Sequence, residues 1–322
     1  MELKPELIER IHRLNEKYQA MGQDLTSYLD GLLYADYLTY WDYIHLDTLL
    51  SLQTPKTSIP DEKIFIMYHQ ITELYLKLCM LEYEQIGNQE NITGEFFLAR
   101  VNRIIRYYEA LTASFDVMVD GMEQEQFLKF RMSLLPASGF QSGQFRMVEI
   151  CSCDFMRLIP ADKHVKFSGY ATDSMIEELY KHLYWRSGAT ELATGKRTLT
   201  LEQFEKKYAQ EFIALAKDYK TKNVWAKYKV LPEADQKNEE IILALRKLDV
   251  SLNVNWRLVH YKSAVRYLQR NPMDIAATGG TNWQKYLPPR FQKISFYPEL
   301  WTPEEIENWG KSWVESVVFQ KK

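Results

Sequence analysis

The sequence predicts an all-α protein, and three observations carry that prediction. Apolar residues recur at intervals of three and four along most of the chain, as one face of a helix requires, and no credible alternating run marks a strand. Only 13 glycines and 11 prolines interrupt 322 residues, so the elements between them are long. Aromatic residues make up 14% of the chain, 21 of them tyrosines and 8 tryptophans, which gives those helices bulky faces to bury. The length allows one large domain or two ordinary ones, and no linker separates two halves; the expectation is a single all-helical domain over residues 1–322.

Residues 5 to about 21 place Leu7, Ile8, Ile11, Leu14 and Tyr18 on one helical stripe. Gly22-Gln23-Asp24 breaks it, Ser27 can cap the next stretch, and one helix is expected to about residue 52 through Leu33, Leu38, Tyr40, Trp41, Tyr43, Ile44 and Leu49. That segment lacks a polar face, so it must be buried on several sides, against its own core and possibly another subunit; Tyr40 and Tyr43 share a face. Turn residues at 54–60 lead into a helix from Asp61-Glu62 to about residue 86, with first-turn acids suited to its N-terminal dipole. Its inner face carries Phe65, His69 and Leu76.

A further amphipathic helix runs through Phe96, Val101, Ile105, Tyr108 and Phe115. If residues 123–132 are helical, Phe127 and Arg131 lie four apart on one face, so that an aromatic wall and a cation share one pocket; the plain alternative is an exposed arginine stem. Pro136 ends that helix, and Ser138-Gly139-Phe140-Gln141 fits a capping box for the next. Helical periods resume at 140–158, 175–185 and 201–219. The last long helix, from about 233 to 268, sets Leu252, Trp256, His260 and Ala264 at intervals of four, stacking an imidazole above an indole. Thr278-Gly279-Gly280-Thr281 is a polar loop, and Thr302-Pro303-Glu304-Glu305 starts a closing helix with threonine as cap and proline at its first position.

Composition removes several functions. A formal charge of -3 gives no broad field for phosphate backbones, which disfavours nucleic acid as a partner. Cys79, Cys151 and Cys153 are odd in number, follow no secretory leader and form no zinc spacing, so they read as reduced thiols. No apolar run reaches about 18 residues, and a soluble cytoplasmic protein is expected. The six histidines are scattered, no glycine loop cradles phosphate, and no Gly-x-Ser-x-Gly elbow appears, so metal-cluster, dinucleotide and serine-hydrolase chemistry are disfavoured. Two inward histidines remain. Each is compatible with a core imidazole satisfied by one carbonyl, and together they are compatible with a haem held by one imidazole and overlooked by the other.

Four blocks carry a resemblance. Leu38-Thr39-Tyr40-Trp41-Asp42-Tyr43-Ile44-His45-Leu46-Asp47-Thr48-Leu49-Leu50 resembles the amino-terminal signature of the tryptophan 2,3-dioxygenase family. Asp61-Glu62-Lys63-Ile64-Phe65-Ile66-Met67-Tyr68-His69-Gln70 is similar to its distal-histidine helix, and Arg131 with Pro136-Ala137-Ser138-Gly139-Phe140-Gln141-Ser142 to its substrate block. Trp256-Arg257-Leu258-Val259-His260, followed by Thr278-Gly279-Gly280, resembles its proximal haem-ligand helix and closing loop. The blocks keep family order over roughly residues 34 to 287.

The resemblance implies a large helical-bundle haem b protein, usually a homotetramer, that inserts both atoms of dioxygen across the indole C2–C3 bond of L-tryptophan to give N-formylkynurenine. His260 becomes the axial ligand of the iron and His69 the catalytic overseer of the open face. Phe65 packs on the indole, Arg131 clamps the carboxylate, Thr278 contacts the amino acid head group, and Ser138 lies near the distal side of the haem. Tyr40 and Tyr43, within residues 1–52, reach the pocket of a neighbouring subunit. Phe127 stands where many members carry a tyrosine that helps hold the carboxylate, which implies weaker substrate affinity. The spacing from His260 to Thr278 is longer than usual, and Thr281-Asn282-Trp283 replaces a common Ser-Ser-Gly. These departures are also compatible with a haem oxygenase acting on another indole or inserting one oxygen atom, and the helices alone with a noncatalytic haem or indole binder.

Overall fold

The computed structural model of the chain describes residues 3–35, 38–134, 139–167, 173–189, 196–268 and 293–309. Among them there is no β-strand beyond an isolated bridge at Arg197, as the periodicity predicts. The chain divides into two compact units, Met1–Thr54 and Pro55–Lys322.

The first unit holds α1 (Pro5–Ala20), α2 (Leu25–Leu33), α3 (Tyr40–Tyr43) and α4 (Leu46–Ser51). Tyr18 of α1 meets Tyr28 of α2 with ring centroids 4.6 Å apart. The single helix expected over 27–52 is therefore three. Asp24, rather than Ser27, is the cap that opens α2, accepting from the amides of Thr26 and Ser27. Thr39 caps α3, and His45 adopts φ 51 between α3 and α4, a left-handed turn that no regular helix passes through.

The second unit is built on α5 (Asp61–Asn88) and α6 (Gly94–Ser114), which pack along each other. After them come α7 (Asp116–Val119), α8 (Gln124–Phe130), α9 (Gly143–Ser152), α10 (Asp173–Tyr180), α11 (Tyr184–Gly188), α12 (Leu199–Asp218), α13 (Val224–Lys229), α14 (Glu233–Gln236), α15 (Glu239–Val250), α16 (Trp256–Leu268) and α17 (Pro303–Glu307). Their shared core takes Leu76, Tyr83 and Ile86 from α5, Phe97, Ile104 and Tyr108 from α6, and Leu245 and Leu248 from α15. All three cysteines are buried and unbridged.

In the second unit several boundaries differ from those expected: the helix expected over 140–158 ends at Ser152, and that over 175–185 is divided between α10 and α11. Residues 139–141 form a short 3-10 turn, and Ser142 caps α9 through the amide of Phe145; the expected box at Ser138 lies outside the described residues. The helix expected over 233–268 is interrupted twice. Asn238 caps α15 anew, and Ser251–Asn255 is a π-turn in which the amide of Trp256 donates to the carbonyl of Ser251. The closing helix begins as predicted, with the Thr302 and Glu305 side chains and backbone bonded reciprocally.

Two carboxylates fix where α5 starts. Glu62, fully buried, accepts from the Thr57 hydroxyl and from the amides of Lys56 and Thr57, the amides at 2.6 and 2.7 Å, and these bonds hold its pKa below the ordinary value despite burial. Asp61 accepts from the amide of Glu123 at 2.7 Å, while its own amide donates to Gln126 at 3.3 Å. That reciprocal pair ties the start of α5 to the start of α8, and so sets Phe65 and His69 against Phe127 and Arg131. Packing supplies the rest of the rigidity: Ile104 is 0% exposed at the α5–α6–α15 junction, and Ile104→Ala should cost about 2–5 kcal/mol in urea unfolding.

Candidate active site

His69 and His260 are prepared in the same way by their helices. The His69 Nδ1 lies 2.7 Å from the carbonyl oxygen of Phe65, and the His260 Nδ1 lies 2.8 Å from that of Trp256, each four residues earlier. A carbonyl only accepts, so each Nδ1 carries the hydrogen and each Nε2 keeps its lone pair. Both rings are partly accessible, yet burial lowers the pKa of each, that of His260 to about 4. Accessible and desolvated together describe a recess inside the bundle. The positive charge His69 would carry adds to the lowering at His260, so the two rings lie within electrostatic reach of each other.

Aromatic rings join the two walls. Phe65 contacts His69 at 4.1 Å between centroids and Phe127 at 6.2 Å, and Phe127 reaches Tyr267 of α16 at 4.8 Å. On the other side Phe115 lies 5.5 Å from Tyr68 of α5 and 4.5 Å from His260. Trp256 meets His260 at 4.3 Å, the neighbours that the spacing of four predicts, with the rings edge to face. Residues 259–265 of α16 are all half-buried, with Val259, Tyr261, Ala264 and Val265 packed on the core.

Arg131 begins a 3-10 turn after α8 and is 5% exposed; burial pulls its pKa below the ordinary value. It is thus a buried guanidinium, not a solvated stem. Gly139 comes so close that a Cβ built on it would sit 3.7 Å from Nε2 of His69, which puts the backbone at Gly139 beside the imidazole. Phe65, His69, Phe127, Arg131 and His260 therefore belong to the second unit, linked through α5, α8 and α16. Tyr40 and Tyr43 stand on α3 of the first unit, 69% and 73% exposed. Ser138 and Thr278 lie outside the described residues.

A separate cavity of about 580 Å³ is lined by Phe155, His164, Tyr219 and Trp225 among others. Asp154, Arg157 and Lys220 at its edge are paired with Lys229, Glu299 and Asp173, so its charges are satisfied within the protein. No group of three metal-ligating side chains occurs among the described residues, and none of their helices is long and apolar enough to cross a membrane.

A family model described as tryptophan 2,3-dioxygenase matches residues 32–228, more than half of the chain. The chain belongs to the tryptophan 2,3-dioxygenase family. Proteins of that name from a Ruegeria species and from Herpetosiphon aurantiacus are each 30% identical to it, over 84% and 82% of this chain and 92% and 96% of theirs. One from Bradyrhizobium diazoefficiens is 27% identical over 84% of this chain and 92% of its own.

For a tryptophan 2,3-dioxygenase family member the sequence reading missed Phe115 and Tyr267, which build the walls, and Gly139 as a neighbour of His69. Their signal in sequence is only a place on an apolar helix face or in a small-residue loop. It also missed a buried polar cluster behind His260, although Arg257 lies within the block that carried the resemblance.

The two depressed imidazole pKa values give a pH signature. A histidine whose folded pKa lies below its ordinary 6.5 is protonated more readily unfolded, so its neutral burial supports the fold fully above that pH and progressively less as pH falls toward the folded value near 4. Haem-free protein should lose stability over that window, and His260→Gln should flatten part of the slope in urea titrations at successive pH values.

Proposed function

We propose that this protein is a haem-dependent dioxygenase that opens the indole ring of L-tryptophan with both atoms of O2 to give N-formylkynurenine, the first step of tryptophan catabolism through kynurenine. The observation that carries the reading is the pair of imidazoles with uncommitted Nε2 atoms on two helices that aromatic rings bridge, in a chain of this family. The residues present fit a haem: a neutral imidazole with its lone pair turned inward, an apolar and aromatic lining, and a half-buried helix flank beside it.

His260 would hold the haem iron through Nε2, and its Nδ1–H bond to the Trp256 carbonyl holds ring and tautomer in place. Ferrous haem b, when bound, supplies the binding and activation of dioxygen. His69 acts from the opposite wall. With Nδ1–H committed to Phe65, its Nε2 accepts the indole N–H, which orients the ring without requiring that the proton leave. Phe65 and Phe127 form the aromatic wall against the indole, and Phe127 brings no hydroxyl to the carboxylate. Arg131, already desolvated, clamps that carboxylate through its planar fork. By the family resemblance Ser138 would line the haem pocket and Thr278 would contact the amino acid head group.

In the assembled protein Tyr40 and Tyr43 complete the pocket of a neighbouring subunit within a homotetramer. Their exposure and that of Leu33, Tyr34, Leu38 and Trp41 support this, since so much aromatic and aliphatic surface is rarely left to water. The enzyme works in the cytoplasm, where reduced thiols are the rule.

The direct test adds L-tryptophan and dioxygen to reduced, haem-loaded protein and weighs the product. A gain of two oxygen atoms as N-formylkynurenine is expected; a gain of one, or no gain, contradicts the reading. Arg131→Ala should raise the KM for L-tryptophan about 10–100-fold, the worth of a charged hydrogen-bonded pair, and change little for indoles lacking the carboxylate. Equal losses for both substrates would remove Arg131 from the clamp.

A further inference from the structure

Behind His260 lies a closed cluster of buried charges that the chemistry above does not use. Asp249, at the end of α15, is fully buried and accepts hydrogen bonds from four residues and a ring. They come from Asn253 Nδ2 at 2.8 Å, the Ser295 hydroxyl at 2.7 Å, the amides of Phe296 and Tyr297 at 3.0 and 3.3 Å, and the Trp301 indole at 3.0 Å. Asn253 sits in the π-turn, and its Oδ1 accepts from Arg257 Nη2 at 3.0 Å. Arg257 also donates to the Tyr184 hydroxyl at 3.0 Å and lies 3.5 Å from Glu149. Glu149 in turn takes the Tyr184 hydroxyl and Arg146, the latter at 2.8 Å.

Two arginines face two carboxylates, so the cluster is balanced, and ion pairs buried this deeply contribute little net stability. Their best-attested use is to fix register. Here there is a register to fix. A π-turn holds one more residue than an α-turn, so it rotates the helix after it by about 100° relative to the helix before it. Asp249, Asn253 and Arg257 are spaced by four on either side of that turn and in its middle, and they are bonded in series across it. His260 is three residues further on.

We propose that the Asp249–Asn253–Arg257 series, anchored by Glu149 and Tyr184 on one side and by residues 295–301 on the other, is a positioning device that locks the π-turn and thereby sets the direction in which His260 presents Nε2. Asn253 is its central positioning residue, because it alone bonds both neighbours. The inference rests on His260 as the haem ligand, and it adds that the ligand's aim is determined by a polar brace reaching as far as the carboxy-terminal segment.

The test compares Asn253→Ala and Arg257→Lys with wild type, the lysine variant keeping the buried charge should the alanine fail to fold. Two quantities are read: the iron–histidine stretching mode of the ferrous haem protein, and amide hydrogen exchange in haem-free protein. Both variants should keep helical content and take up haem, yet shift or broaden that mode and lose haem about tenfold faster, as expected when a group supporting a metal ligand is removed. Exchange at 251–260 should quicken about tenfold while exchange at 65–75 stays as in wild type. An unchanged mode and unchanged exchange in a folded variant overturn the inference. Wild type without an iron–histidine mode would overturn the haem reading instead, and exchange at 251–260 would still decide whether the brace locks the turn.

Discussion

Everything at this site depends on one hydrogen bond made twice. An imidazole in a helix can turn its Nδ1–H to the carbonyl four residues back, and in doing so it chooses its tautomer, fixes its ring and leaves Nε2 as a lone pair. His69 does this on α5 and His260 on α16. Burial keeps both neutral at neutral pH. The same local bond thus suits the two rings to the two unlike roles proposed for them, a metal ligand and a hydrogen-bond acceptor, and the bundle has only to hold their helices at the right spacing.

Several devices hold them. Asp61 and Gln126 join α5 to α8, so the wall of Phe65 and His69 cannot move independently of Phe127 and Arg131. Gln144 on α9 donates to the carbonyl and carboxylate of Glu73, one turn beyond His69. Tyr267 of α16 donates to the carbonyls of Val119 and Met122, tying the His260 helix to the loop that leads into α8. Polar bonds at fixed ends surround an aromatic interior, which is how a recess can stay open in a bundle that would otherwise close by packing.

Much of this was legible in sequence because helices write their inner faces at fixed intervals. Phe65 with His69 and Trp256 with His260 are each pairs at four, and the structure brings the rings of each pair into contact. The illegible parts have physical causes. Between Leu25 and Ser51 apolar residues lie on all sides, so the period cannot reveal the breaks around Thr39 and His45. A π-turn adds one residue without interrupting the apolar pattern, so Ser251–Asn255 passed as plain helix. Ser142 precedes helix-forming residues as several other serines do, and only backbone geometry shows it to be the cap of α9. Phe115 and Tyr267 are aromatic core residues by pattern, and only their three-dimensional neighbours make them part of the site.

The central claim is that the two imidazoles hold unlike roles on opposite walls of one recess, and the most direct measurement is the haem content and optical spectrum of His260→Ala beside His69→Ala. The account predicts that His260→Ala loses haem or its axial-histidine spectrum, while His69→Ala keeps both and loses the turnover of L-tryptophan. Haem lost from His69→Ala and retained with its native spectrum in His260→Ala would contradict it.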